Sequence, residues 1–266
     1  MPPTRTIDVL ATTADLFHAA AEEFARVGRL AIGAQGRFSV ALSGGSTPKS
    51  LYSLLASSYA DFPWSRTFLF FGDERHVPPT DPASNYRMVN EALLSKIAIP
   101  AANVFRVKAE NPDAAGVAAD YEAQLKHFFE LKPNQFPRFD LILLGLGPDG
   151  HTASLFPDSE GLEETTRLVI ANWVEKFKTH RISFTFPVLN HAAEVIFLAS
   201  GPDKAEMISD VLEGKSSEGK SLEAKWTEEK NTPRYPAQRV QPQNGTLLWM
   251  LDEAAAAKLK HRAPAG

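Results

Sequence analysis

Asp149 and His151 lie two residues apart within Leu144-Gly145-Leu146-Gly147-Pro148-Asp149-Gly150-His151-Thr152-Ala153-Ser154-Leu155-Phe156-Pro157, a glycine-rich stretch that follows an apolar run. Histidine is the side chain whose ordinary pKa lies nearest neutrality, so one fixed in a loop can take a proton from water and return it to a leaving group. Gly145, Gly147 and Gly150 also satisfy G-x-G-x-x-G, the pattern of a dinucleotide-binding turn. Three features oppose that reading. Pro148 removes a backbone donor, the continuation through Phe156-Pro157 is no clean helix, and no acidic residue ends a second strand about 20 residues further on, where a ribose contact is expected. Proton transfer by His151 beside Asp149 is the better account of this loop.

Two further segments carry polar groups at the end of an apolar run. In Val40-Ala41-Leu42-Ser43-Gly44-Gly45-Ser46-Thr47-Pro48 the glycines allow a close backbone approach, and Ser46 and Thr47 add hydroxyls. Free N–H groups and the dipole of a following helix would favour an anion there. A tight turn into a helix capped by Thr47 explains the same residues. The loop lacks the Gly-Lys-Ser/Thr ending of a nucleoside triphosphate site. In Phe70-Phe71-Gly72-Asp73-Glu74-Arg75-His76-Val77-Pro78-Pro79, four ionisable side chains follow a buried strand directly. Charged loops are usually only solvated, but a strand end in an α/β sheet aims its next residues into a cleft. Ser84-Asn85-Tyr86 then reads as a helix start.

The elements that must position these loops alternate in period. Short apolar or β-branched runs at 38–42, 67–71, 104–107, 140–146, 168–171, 181–186, 195–199 and 246–251 predict strands. Several are apolar at nearly every position, which fits a parallel sheet covered on both faces. Between them, helices are predicted over 14–34 (with Leu16, Phe17, Ala20, Phe24, Val27 and Leu30 as the buried stripe), 48–55, 86–96, 114–131, 203–212 and 253–260. The order implies right-handed crossovers and a three-layer α/β/α sandwich with a mostly parallel, Rossmann-like sheet, in one domain over 1–266. Residues 214–236 are polar and predict a surface excursion, a solvated loop or a lid.

Composition removes several classes of function. Lys plus Arg total 28 against 32 Asp plus Glu, a net charge of −4, and no basic tail is present to track a phosphate backbone, so nucleic acid is not an expected partner. The chain has no Cys, which removes thiolate nucleophiles and disulfides. No apolar run approaches the ~20 residues of a membrane span, and the N-terminus does not read as a secretory leader. The expected setting is cytoplasmic, with no membrane partner.

The three loops, in this order and spacing, resemble the 6-phosphogluconolactonase family of the glucosamine/galactosamine-6-phosphate isomerase superfamily. The resemblance continues through Arg181-Ile182-Ser183-Phe184-Thr185-Phe186-Pro187, Gly201-Pro202-Asp203-Lys204-Ala205, Pro236-Ala237-Gln238 and Trp249-Met250-Leu251-Asp252, and so covers nearly the whole chain. It implies hydrolysis of 6-phospho-D-glucono-1,5-lactone to 6-phosphogluconate in the oxidative pentose phosphate pathway, with a small sugar-phosphate lactone as the partner and no cofactor or metal. It further implies that Gly44, Gly45, Ser46, Thr47, Asn85, Arg181 and Lys204 bind substrate. His151 would act as general base and then acid, oriented by Asp149 or Asp73, with Arg75 near the substrate's charge. The related glucosamine-6-phosphate deaminases share the phosphate loop and Asp-Gly-His. They typically carry an acid five residues after the histidine, where this chain has Phe156, and Asp-Glu-Tyr where it has Asp73-Glu74-Arg75. A noncatalytic sugar-phosphate sensor would need an appended domain, and the segment before the first predicted helix is short. Oligomeric state, the division of roles among Arg75, Arg181 and Lys204, and the role of the polar excursion stay open.

Overall fold

The computed structural model describes residues 4–214 and 234–260. In chain order the strands are β1 Thr4–Leu10, β2 Phe38–Leu42, β3 Thr67–Phe71, β4 Asp73–Arg75, β5 Val104–Phe105, β6 Leu141–Leu144, β7 Val169–Val174, β8 Thr179–Phe184, β9 Glu194–Ala199 and β10 Thr246–Asp252. The helices are α1 Thr13–Gln35, α2 Ser46–Ser58, α3 Asn85–Ala92, α4 Ala114–Phe128, α5 Phe186–Leu189 and α6 Ala205–Glu213. Seven strands form a parallel sheet in the order β1-β10-β9-β6-β2-β3-β5, and β4-β8-β7 form a separate antiparallel sheet. The fold is α/β, as the unbroken apolar runs require: every side chain of β2 and of β6 is buried, which needs cover on both faces of the sheet.

Helix α1 shows how local sequence fixes an element. The Thr12 hydroxyl accepts from the Asp15 N–H at 3.1 Å while the Asp15 carboxylate accepts from the Thr12 N–H at 3.1 Å, a reciprocal cap. Gly36 ends the helix in the left-handed region at φ 80°, where a side chain would be strained. Leu16, Ala20, Phe24 and Val27 are buried as the stripe predicts, but Leu30 is exposed and Phe17 only half-buried. Phe24 instead anchors an aromatic cluster with Phe38, Phe62 and Trp64 at ring separations of 5.3 to 6.0 Å.

Three sequence expectations are corrected. The runs at 168–171 and 181–186 leave the main sheet and pair antiparallel with each other and with β4, so the β-α-β-α rhythm breaks there. The ionisable segment after β3 is a short strand, not a loop. Gly72 is the hinge: its N–H donates to Leu42 O at 2.9 Å in the main sheet, and its carbonyl accepts from Phe184 N at 2.8 Å in the small one. Residues 253–258 form turns in place of a helix, because i→i+3 bonds such as Leu259 N to Ala256 O replace the α-helical ladder. Most of the polar excursion, 215–233, lies outside the described residues. Among the described residues no helix is long and apolar enough to cross a membrane.

Candidate active site

From β2 the sheet order runs outward both ways, through β3 and β5 on one side and through β6, β9 and β10 on the other. Such a reversal opens a crevice beyond the carboxyl ends of the strands. The loops after β2, β6 and β9 border it, and the small sheet contributes β4 and β8. A cavity of about 260 Å³ lies there, lined by residues 43–48, 145–147 and 151–154 together with Asp73, Arg75, Phe156, Phe177, Arg181 and Lys204.

On the β6 side, His151 Nδ1 is hydrogen-bonded to Asp149 Oδ1. With Nδ1 engaged, Nε2 is the nitrogen left to exchange a proton with a ligand. The imidazole stacks on Phe156, with ring centroids 4.0 Å apart and planes 24° from parallel. Gly147 makes this possible: a Cβ there would fall 2.0 Å from His151 Nδ1, so only glycine leaves room for the ring. Gly150, at φ 75°, likewise admits Tyr235, whose ring a Cβ would meet at 2.5 Å. Two of the three glycines that mimic a dinucleotide turn, Gly147 and Gly150, therefore serve side-chain packing. Burial raises the Asp149 pKa, but the hydrogen bond from His151 and its charge outweigh this and hold it below the ordinary carboxylate range.

The β2 side carries the groups suited to an anion. Helix α2 starts two residues earlier than the Thr47 cap predicts. Its N-cap is Gly45 at φ 110°, no side chain caps it, and Thr47 Oγ1 pairs with Ser200 Oγ at 3.1 Å. The first N–H groups of the helix are thus left for a ligand, with the positive end of the dipole behind them. Arg181 is half-buried and pairs in register with Arg75 across β8 and β4. Burial lowers its pKa below the ordinary guanidinium value and the Arg75 charge lowers it further, partly offset by Asp73 and Glu74. Neither arginine has an ion-pair partner among the described residues, and Arg181 Nε has no hydrogen-bond partner. Two neighbouring cations without a carboxylate fit an anionic ligand far better than an empty interior. Lys204, from the turn after β9, lines the same cavity, with Asp203 Oδ2 3.7 Å from its Nζ.

The acidic residues between the two sides are structural to different degrees. Glu74 is buried and accepts from the N–H groups of Arg75, Asn85 and Tyr86 at 2.8, 2.6 and 2.8 Å, which ties β4 to the start of α3. Asp73 lines the cavity but accepts from Ser154 Oγ at 2.8 Å; the carboxylate that orients His151 is Asp149. Asn85 does not line the cavity. Its Nδ2 donates to Asp73 O at 2.9 Å, and its Oδ1 lies under Gly44, where a Cβ would fall 2.0 Å from it. It braces the β2 loop from below.

The cavity thus brings together Gly44, Gly45, Ser46, Thr47, Asp73, Arg75, His151, Arg181 and Lys204, with Asp149 behind the histidine. Ser43 and Phe177 line it without having been singled out. Ser43 Oγ is buried with no partner, and its place directly before the two glycines was the available signal. Phe177 sits in the β7–β8 turn and has no signal in the sequence, because nothing local reveals which way that hairpin leans.

The family model of glucosamine-6-phosphate isomerases/6-phosphogluconolactonases matches residues 11–249. A Nostoc protein named 6-phosphogluconolactonase is 42% identical over 229 residues, spanning 86% of this chain and 88% of its own. A Haemophilus influenzae protein of the same name is 37% identical over 220 residues, spanning 81% and 85%. Of solved structures, 6-phosphogluconolactonase from Trypanosoma cruzi aligns at a TM-score of 0.82 with 30% identity, covering 98% of this chain and 99% of that one. A monomeric glucosamine-6-phosphate deaminase aligns at 0.74 with 18% identity, a likeness of fold alone.

Proposed function

Because the chain belongs to the glucosamine-6-phosphate isomerase/6-phosphogluconolactonase family, we propose that it hydrolyses 6-phospho-D-glucono-1,5-lactone to 6-phosphogluconate by water attack assisted by His151. The observation that carries the reading is the pairing, within one cavity, of a carboxylate-oriented histidine with an uncapped helix N-terminus and two arginines, Arg75 and Arg181, that have no ion-pair partner among the described residues. The lactone ring is neutral, so its phosphate is the only charged handle by which the substrate can be held in register. The N–H groups at the start of α2, with Lys204 and Arg181, take the phosphate.

With the phosphate fixed, the ester carbonyl is presented to His151. Nε2 removes a proton from water as the water oxygen bonds to C1, and the carbonyl electrons move onto oxygen. Arg75 stabilises that developing charge. Collapse of the tetrahedral intermediate breaks the bond from C1 to the ring oxygen, and His151 returns the proton to that oxygen. Asp149 accepts the hydrogen bond of Nδ1 and so holds the ring in place while Nε2 takes up and returns the proton. Phe156 packs on the imidazole where the related deaminases typically carry an acid, and this supports lactone hydrolysis over deamination. His151→Ala tests the assignment. General acid–base groups contribute about 10²–10⁴-fold, so turnover should fall by that order while 6-phosphogluconate still binds. Near wild-type turnover after correction for spontaneous hydrolysis would make His151 structural.

A further inference from the structure

The β7–β8 turn, Glu175–Phe177, carries two residues that reach both supports of the His151 ring. Lys176 Nζ lies 3.7 Å from Asp149 Oδ2, on the carboxylate whose other oxygen holds Nδ1. Phe177 packs edge-on against Phe156, with centroids 5.8 Å apart and planes at 80°, and Phe156 stacks on the imidazole. The guanidinium of Arg181 lies 5.2 Å from the centre of the same Phe177 ring. A phenylalanine that is 46% exposed on a turn has little to gain from the core. It packs instead against the aromatic floor under His151, takes Arg181 and, at 5.5 Å, the Lys176 ammonium over its ring, and lines the cavity.

We propose that Phe177 is a positioning residue, a wedge from the β7–β8 turn that holds Phe156 flat beneath His151 and so fixes the plane of the imidazole. The hydrogen bond to Asp149 restrains one nitrogen but leaves the ring free to swing about that bond. Stacking on Phe156 removes the swing, and Phe156 is held on its outer side by Phe177. Loss of the wedge therefore misdirects Nε2 without removing any group that holds phosphate. Kinetically this is a loss of kcat with KM kept, since a transition-state alignment is lost and ground-state binding is not. The kinetic part rests on the lactonase reading above, and the geometric part does not.

The test compares Phe177→Ala and Phe177→Leu with wild type in lactone turnover and in the proton NMR resonance of His151 Cε1–H, identified by its absence from the His151→Ala spectrum. Phe177→Ala should lower kcat by about tenfold and shift KM by less than about threefold, because misplacement of a reacting group by a fraction of an ångström is costly. The His151 resonance should move as it leaves the shielding face of Phe156. Phe177→Leu, which keeps an apolar side chain against Phe156, should retain most of kcat and most of the resonance position. A Phe177→Ala enzyme with unchanged kcat and an unmoved resonance overturns the proposal. So does one that raises KM alone, which would make Phe177 a wall for substrate. If wild type does not hydrolyse the lactone but the resonance moves in Phe177→Ala, the wedge stands and the substrate assignment falls.

Discussion

Replacing Gly147 by alanine would test whether catalysis depends on where His151 sits, with the imidazole itself untouched. The added Cβ would fall 2.0 Å from Nδ1 and 2.1 Å from Cε1 of His151. Real Cβ contacts do not close below 3.0 Å, so the ring must retreat by about 1 Å or more. Gly147 is not in the left-handed region, and its N–H would still donate to His151 O, now at 2.9 Å, so the backbone accepts alanine. The cost to stability is that of an overpacked but partly exposed side chain, about 1–3 kcal/mol at most. The catalytic cost is larger, since a 1 Å misplacement is worth about 10²-fold in rate, roughly 2.7 kcal/mol of barrier. Steady-state lactone hydrolysis should therefore show kcat reduced about a hundredfold with an unchanged affinity for 6-phosphogluconate. A folded Gly147→Ala enzyme with kcat near wild type would refute the argument that the Asp149–His151–Phe156 arrangement sets the rate.

Lys204→Ala should weaken binding of 6-phosphogluconate by about one to two orders of magnitude, the worth of a charge-assisted hydrogen bond, and leave gluconate unaffected. Calorimetric titration of both ligands checks this, and an unchanged preference for the phosphorylated one would place the phosphate elsewhere. Remote from the site, Glu194 opens β9 with Arg26 3.3 Å away, and burial together with the Glu23 carboxylate raises its pKa to about 7. A carboxyl held above its unfolded value keeps its proton in the folded state, so its contribution is present at low pH and lost as pH rises from the ordinary carboxylate range through about 7. Glu194→Gln should accordingly raise the thermal midpoint by roughly a few degrees near pH 8 and by less near pH 5. An equal gap at both pH values would mean that Glu194 does not titrate in that window.

The main sheet was legible because burial on both faces leaves an unmistakable trace: Leu141-Ile142-Leu143-Leu144 and Phe38-Ser39-Val40-Ala41-Leu42 are apolar almost throughout. The small antiparallel sheet was legible only in part: the runs at 168–171 and 181–186 read as strands, but Asp73-Glu74-Arg75 has neither apolar alternation nor β-branched residues and is held in strand form by its pairing with Ser183, Ile182 and Arg181. Strand β1 was missed for a similar reason: as an edge strand pairing only with β10, its sequence Thr-Arg-Thr-Ile-Asp-Val-Leu is half polar. In the site, residue types that do chemistry stand out locally, as with His151 and the Gly44-Gly45 loop. Supporting contacts do not. That Asn85 braces Gly44, that Asp73 serves Ser154, and that Phe177 reaches Phe156 are facts of long-range packing, separated in sequence by 21 residues or more.

Lactone hydrolysis and deamination are separated by proton release from freshly generated 6-phosphogluconolactone at constant pH, run beside ammonia release from glucosamine 6-phosphate with the same enzyme. Hydrolysis frees one carboxylic acid per lactone, so catalysis appears as acid production above the spontaneous rate. The enzyme should release acid rapidly from the lactone and no ammonia from the amino sugar. Ammonia release at a comparable rate, or lactone loss no faster than in buffer, would contradict the lactonase assignment.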